Sequence, residues 1–490
     1  MSAYQDLLNH LTDIHNLYMA GRVLSWDLDV NMPSGGSQAR AAQLGTISKL
    51  RHQLLTSDTT AHLLESAAQE VAGMDADSDE VRLVEVVTKD YEMASRLPSD
   101  LVQRLTRSGA QSRNVWIKAR AESDFSQFAD SLKQILELAL EKAEYIGYES
   151  NPYDACIYQY ERDLTAADIQ AIFDGHKSQL VELVNAAPDV DNAMLYQKYD
   201  VDKQKQFALK MVEAIGFDFT RGRQDVSVHP FSTYFSKHDV RLTTRFNEGY
   251  LGTGLFGLLH EAGHGIYAQG LNNSLEGTPL TGETSLSVDE SQSRLWENVV
   301  GRSKEFWEWA LPQLKSIFPY LVGARLDDFY RAVNTIKPLF IRLEADEATY
   351  NLHIILRFEL ENDLLNGRVA VDDLPREWNQ RFEASFGIVP PNDAQGVLQD
   401  IHWSAGALGY FPTYALGNLL SVQYYEAALQ AYPNIPADIS QGQFDVLRGW
   451  LTENIYQHGR KFGTAELTQR ITGKGIDSQP YIAYLQRKYL

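Results

Sequence analysis

The stretch His260-Glu261-Ala262-Gly263-His264 decides how this chain is read. On an α-helix, residues i and i+4 lie on one face, so His260 and His264 can grip a single metal ion. Glu261 sits about 100° round the axis from His260, close enough to hold a water on that ion. Two imidazoles and a neighbouring carboxylate at this spacing read as two zinc ligands and a general base. The plainer alternative is an amphipathic helix whose histidines are satisfied by their surroundings. Both readings make the segment helical.

Catalytic zinc takes three protein ligands and keeps one position open for water. Glu290 lies 26 positions beyond His264, room for a loop and the start of a second helix beside the first. Glu283, Asp289 and Glu297 compete for the same role, and spacing alone excludes none of them. A first-turn acid favoured by the helix dipole is the bland reading of Glu290.

Outward from this stretch, helical periodicity dominates. Leu7, Leu8, Leu11, Ile14, Leu17 and Tyr18 form one apolar stripe at 3.6-residue spacing. Leu132, Ile135, Leu136, Leu138 and Leu140 form another, and Ile354, Ile355, Phe358 and Leu360 belong to a helix expected to begin near Ile341. Glycine and proline gather in short breaks, such as Met32–Gly36, Asn185–Pro188 and Val389–Asn392. One segment departs from this pattern. Asp225 to Arg245 alternates as a β ribbon, placed either to pair with a substrate backbone or as a structural finger. The expectation is a mostly α protein with a small sheet, residues 1–490 forming a single domain.

Composition narrows the function classes. The net charge of −21 argues against nucleic acid and anionic membrane surfaces as partners. No run of 18 apolar residues predicts a membrane span, and the N-terminus lacks the basic start and apolar run of a signal peptide. A single cysteine, Cys156, forbids an internal disulfide and suits a reducing compartment. The expected location is the cytoplasm.

Further residues carry chemistry downstream. Arg342 and Asp346 stand at i, i+4, either as a surface ion pair or with Arg342 as a guanidinium that receives a carboxylate. Gly396-Val397-Leu398-Gln399-Asp400-Ile401-His402-Trp403 leads into Tyr410-Phe411-Pro412-Thr413-Tyr414. There Pro412 suits a first helical turn, and the Tyr414 hydroxyl can donate to an oxyanion.

Taken in order, these motifs resemble those of the carboxypeptidase Taq family of zinc metallocarboxypeptidases. The resemblance rests on His229-Pro230-Phe231, Asp239-Val240-Arg241-Leu242-Thr243, the paired histidines, Glu290-Ser291-Gln292, Ile341-Arg342 with Ala345-Asp346, and Gly396 to Trp403. It implies a large helical, saddle-shaped fold with a deep groove, like that of neurolysin and angiotensin-converting enzyme, and a homodimer. It implies removal of single residues from peptides with a free C-terminus, with broad side-chain specificity. Zn2+, for which Co2+ can substitute, would be held by His260, His264 and Glu290, with Glu261 as base. Arg342 would bind the terminal carboxylate, His229 and Tyr410 the substrate, and His402 and Tyr414 would face the scissile carbonyl. The rivals are a zinc oligopeptidase cutting internal bonds and a catalytically weakened peptide-binding protein. One departure stands out: Asp289 replaces the histidine usual before the third ligand, so a hydrogen bond behind the metal ligands is lost or reversed.

Overall fold

The computed structural model describes residues 2–490 and is predominantly helical, with one three-stranded sheet. Its chain forms two compact units, each assembled from three separated segments. The first comprises Met1–Ser95, Asp191–Val333 and Tyr424–Ile471; the second comprises Arg96–Val190, Asn334–Gln423 and Thr472–Leu490.

In the first unit, the N-terminal helix Ala3–Val30 buries Leu7, Leu11 and Ile14 against Leu64, Ala67, Val71, Leu83, Val84 and Val87. This is the stripe expected from periodicity, with one exception. Tyr18 turns outward and lies under the guanidinium groups of Arg22 and Arg51, because over 28 residues the buried face drifts on to Met19 and Trp26.

The β segment is richer than a ribbon. Strands β1 (Gly222–Val226), β2 (Ser232–Ser236) and β3 (Asp239–Thr244) lie in the order β1-β3-β2. β2 and β3 form an antiparallel hairpin with a bulge between Tyr234 and Ser236, while β1 pairs parallel to β3 with Gly222 opposite Val240. Leu242 and Val240 are fully buried, and β3 packs on the histidine helix, Gly252–Gly270.

In the second unit, the central helix Glu347–Leu365 is buried nearly all round, as a helix inside a large core must be. Ile354, Ile355, Phe358 and Leu360 are each fully enclosed, and Phe358 packs against Tyr153 and Phe173. This helix starts at Glu347, not near Ile341. The Asp346 carboxylate accepts from the amides of Ala348 and Thr349 and caps it, leaving Arg342 in a separate 3-10 turn. The Arg342–Asp346 pairing expected from i, i+4 spacing is therefore absent. Among the described residues no helix is long and apolar enough to cross a membrane.

Candidate metal centre and anion cluster

The histidine helix presents His260 and His264 from its middle. Beside it the glutamate helix Leu286–Arg294 begins at Ser285, whose side chain accepts from the Val288 amide. The two helices touch at Gly263: a Cβ there would lie 2.6 Å from both the Gln292 carbonyl oxygen and the Ser293 Cα. A glycine inside a helix costs about 1 kcal/mol relative to alanine. Here it lets the backbones approach closely enough for Glu290 to reach the histidines.

Glu290 Oε2 lies 3.6 Å from His260 Nε2 and 3.8 Å from His264 Nε2. These three residues form the group among the described residues whose ligand atoms could hold one metal ion. The opposite nitrogens face carboxylates. His260 Nδ1 is 3.0 Å from Glu297 Oε2, and His264 Nδ1 is 2.8 Å from Asp289 Oδ1. A carboxylate behind each imidazole favours the tautomer whose Nε2 is free to ligate. Asp289, the departure from the usual pattern, thus makes a contact with His264 instead of leaving it bare. Glu283 lies outside the group, sharing electrostatic influence with Asp289 and Arg22.

Charges around the centre are balanced by two arginines. Arg294 Nε donates to Glu290 Oε1 at 2.7 Å, and Arg302 donates to Glu297 Oε1 at 3.1 Å. Burial raises the Glu290 carboxyl, but Arg294, His260 and His264 outweigh it and leave it below its usual range. Glu297 is likewise depressed, burial being overcome by His260, Arg294 and Arg302. Glu261, enclosed beside the pair, is pushed upward by burial, against the pull of His260 and His264. His264 is lowered by burial yet carried up to about 10 by Asp289. Two histidine nitrogens and one carboxylate oxygen facing a common point are a donor set that suits zinc.

The second unit gathers the other candidates. Arg342, 3% exposed, donates through Nε and Nη2 to Asp400 and through Nη1 to the Tyr350 hydroxyl at 2.6 Å. Arg357, fully buried, donates to the other side of Asp400 at 2.7 Å. One carboxylate thus serves two guanidinium groups, and Asp400 is held far below its usual range by Arg357 and Arg342 despite burial. His402 stands beside them, Nδ1 3.9 Å from Asp400, and burial lowers it to about 4. Its ring lies 5.4 Å from Tyr410 and 6.3 Å from Tyr414. Pro412 opens the helix Pro412–Ala431, placing Tyr414 in its first turn, with Arg342 5.1 Å from the Tyr414 ring.

His229 is the outlier. It sits exposed on the β1–β2 connection, its carbonyl accepting from Ser227, and takes no part in the cluster of His260, His264 and Glu290. Sequence reasoning missed Arg357 and the Nδ1 partners. Glu297, seven positions after Glu290, returns to the same helical face two turns on, a signal that it shares the side of Glu290 but not of which imidazole it faces.

Comparison with known proteins places these features. The family model described as carboxypeptidase Taq (M32) metallopeptidase matches residues 6–489. Thermostable carboxypeptidase 1 of Thermus thermophilus is 36% identical, covering 100% of this chain and 98% of the relative. Carboxypeptidase 1 of Bacillus subtilis is 34% identical over 99% of this chain and 97% of its own length. Among solved structures, the M32 carboxypeptidase from Deinococcus radiodurans R1 superposes with a TM-score of 0.95 at 38% identity, covering 99% of this chain and 98% of that one. Metallocarboxypeptidase 1 of Trypanosoma cruzi gives 0.94 at 30% identity, covering 99% of each chain.

Proposed function

The chain belongs to the carboxypeptidase Taq (M32) family of metallopeptidases, and from that premise we propose that this metallocarboxypeptidase uses zinc held by His260, His264 and Glu290. The convergence of the two Nε2 atoms on Glu290, with a carboxylate behind each ring, carries the reading. Zinc bound there would supply Lewis acidity, lowering the pKa of water towards ~7 and polarising a carbonyl; cobalt is the expected substitute.

The chain's own residues do the rest. Glu261 takes a proton from water and returns it to the leaving amine. Its burial supports this, because a raised proton affinity suits a group that must both accept and release at neutral pH. Arg342 and Arg357 together carry two positive charges against one on Asp400, and the surplus supports a role for Arg342 in binding the substrate's C-terminal carboxylate. A guanidinium has five N–H donors, so one remains on each terminal nitrogen of Arg342 after Asp400 and Tyr350 are served. Neutral His402 and the Tyr414 hydroxyl would donate to the carbonyl oxygen as it gains charge. Tyr410 and His229 would contact the peptide.

Side-chain specificity is proposed to be broad. Residues 1–490 are proposed to work as a single catalytic domain, as a homodimer in the cytoplasm; the lone buried thiol of Cys156 supports a reducing compartment, and sedimentation checks the dimer. Hydrolysis of an N-blocked dipeptide with a free C-terminus, compared with its C-terminal amide, tests the central claim. The free acid should be cut at least ~10²-fold faster, a guanidinium–carboxylate pair being worth several kcal/mol when one partner is removed. Equal rates, with cleavage at internal bonds, would replace this reading with an oligopeptidase.

A further inference from the structure

Glu361 lies on the central helix, about four turns beyond the buried start that Asp346 caps, and is completely enclosed. No step above uses it. Its Oε2 accepts from the Tyr153 hydroxyl at 2.5 Å and from the Gly409 amide at 2.9 Å. Its Oε1 accepts from the Trp403 indole N–H at 2.8 Å. Trp403 and Gly409 are the two ends of one loop, and their outer neighbours are His402 and Tyr410. Gly409 adopts φ +81°, and a Cβ there would lie 2.6 Å from the Cys156 carbonyl carbon. The loop is thereby pressed against the helix Pro152–Ile157, which also supplies Tyr153.

Packing alone does not call for a carboxylate here, since burying one without partners is costly. What the carboxylate adds is two acceptor oxygens between three donors from two chain segments. We propose that Glu361 is a positioning residue of the peptide site: by holding both ends of the 403–409 loop it sets the orientation of His402 and Tyr410. This rests on the reading above that His402 and Tyr410 face the substrate.

The groups facing Glu361 define its sensitivity to pH. They are Arg357 one turn earlier on its own helix, Tyr153 and Cys156 on the adjacent helix, and Tyr160 just after it, with Lys142 beyond Cys156. Burial pushes the carboxyl up to about 7, against its three donors and Arg357. The indole and the backbone amide can only donate, so of the three partners only the Tyr153 hydroxyl can turn to accept a proton from Glu361.

Glu361→Gln provides the test. The amide nitrogen of glutamine must face either the Trp403 indole or the Gly409 amide, both donors, so one end of the loop loses its anchor. Hydrogen exchange by mass spectrometry should show amides of residues 401–411 exchanging at least ~10-fold faster, with the histidine helix unchanged and metal content equal to wild type. KM for the blocked free-acid dipeptide should rise several-fold, and the ratio of wild-type to variant kcat/KM should change with pH around 7. Trp403→Phe, which keeps a ring but loses one donor, should shift the same quantities less far. Unchanged exchange in 401–411, or faster exchange throughout the second unit, overturns the proposal. A wild-type enzyme inactive on the free acid would defeat the peptidase reading instead, and the exchange data would still decide whether Glu361 anchors the loop.

Discussion

Glu261 and Asp289 lie on neighbouring turns of chemistry yet answer to different tests. Glu261→Gln keeps size and hydrogen bonding but cannot take a proton; kcat should fall at least ~10²-fold with metal content near wild type. Asp289 acts from behind His264, 2.8 Å from its Nδ1, so Asp289→Ala should weaken metal affinity about 10–100-fold, measured by competition with a chelator. Wild-type affinity in that variant would mean the contact does nothing for the ring. The histidine pair was legible because helical spacing and zinc chemistry restrict it severely, whereas Glu290 was singled out from its rival carboxylates by the family resemblance and not by spacing. The partners behind the rings were not legible. Whether Glu283, Asp289 or Glu297 stands behind a given imidazole depends on the crossing of two helices, which no local spacing encodes.

At the scale of elements, periodicity found the helices and alternation found the sheet. What failed were the joins. The helix expected from Ile341 begins six residues later, since Asp346 satisfies its first free amides, and this detaches Arg342 and turns it to Asp400. The parallel pairing of β1 with β3 reaches across β2, a non-local contact invisible to a local pattern. The π-helical segment Leu295–Val300, which carries Glu297 next to the glutamate helix, has no sequence signature either, though such turns recur at functional sites. Gly263 stands inside the histidine motif, where zinc chemistry gives it no role. Gly263→Ala would force its Cβ into the backbone at Gln292 and Ser293, where no flexible side chain can give way. It should destabilise the first unit by roughly 1–3 kcal/mol and lower metal affinity as Glu290 moves off, read by denaturation and metal titration together.

Across the whole molecule the chain passes between its two units five times, and no glycine- or proline-rich linker marks the crossings because four of them fall within or at the end of helices. That is why composition revealed no boundary. The second unit carries its own response to acid. It holds three buried histidines, His176, His353 and His402, all lowered by burial, the first and last to about 4. A histidine with a depressed folded pKa binds its proton in the unfolded chain first. The stability these histidines contribute is therefore highest above about 6.5 and is lost as pH falls from there towards 4, on the order of 3 kcal/mol for each histidine shifted that far. Glu361, raised to about 7, works the other way, its burial costing least when it is protonated, and Asp154 and Asp346, also raised by burial, act in the same direction. His176 isolates the effect: its Nδ1 donates to the Ile172 carbonyl at 2.8 Å, and its Nε2 is enclosed without a partner. His176→Phe forfeits that one hydrogen bond at every pH but removes the titration. In chemical denaturation the wild type should be the more stable near pH 7, and its advantage should shrink or reverse by pH 5, with all other titrating groups cancelling in the difference. A constant difference across that range would mean that His176 binds its proton equally well in the folded and unfolded chain, and that acid acts on this enzyme elsewhere.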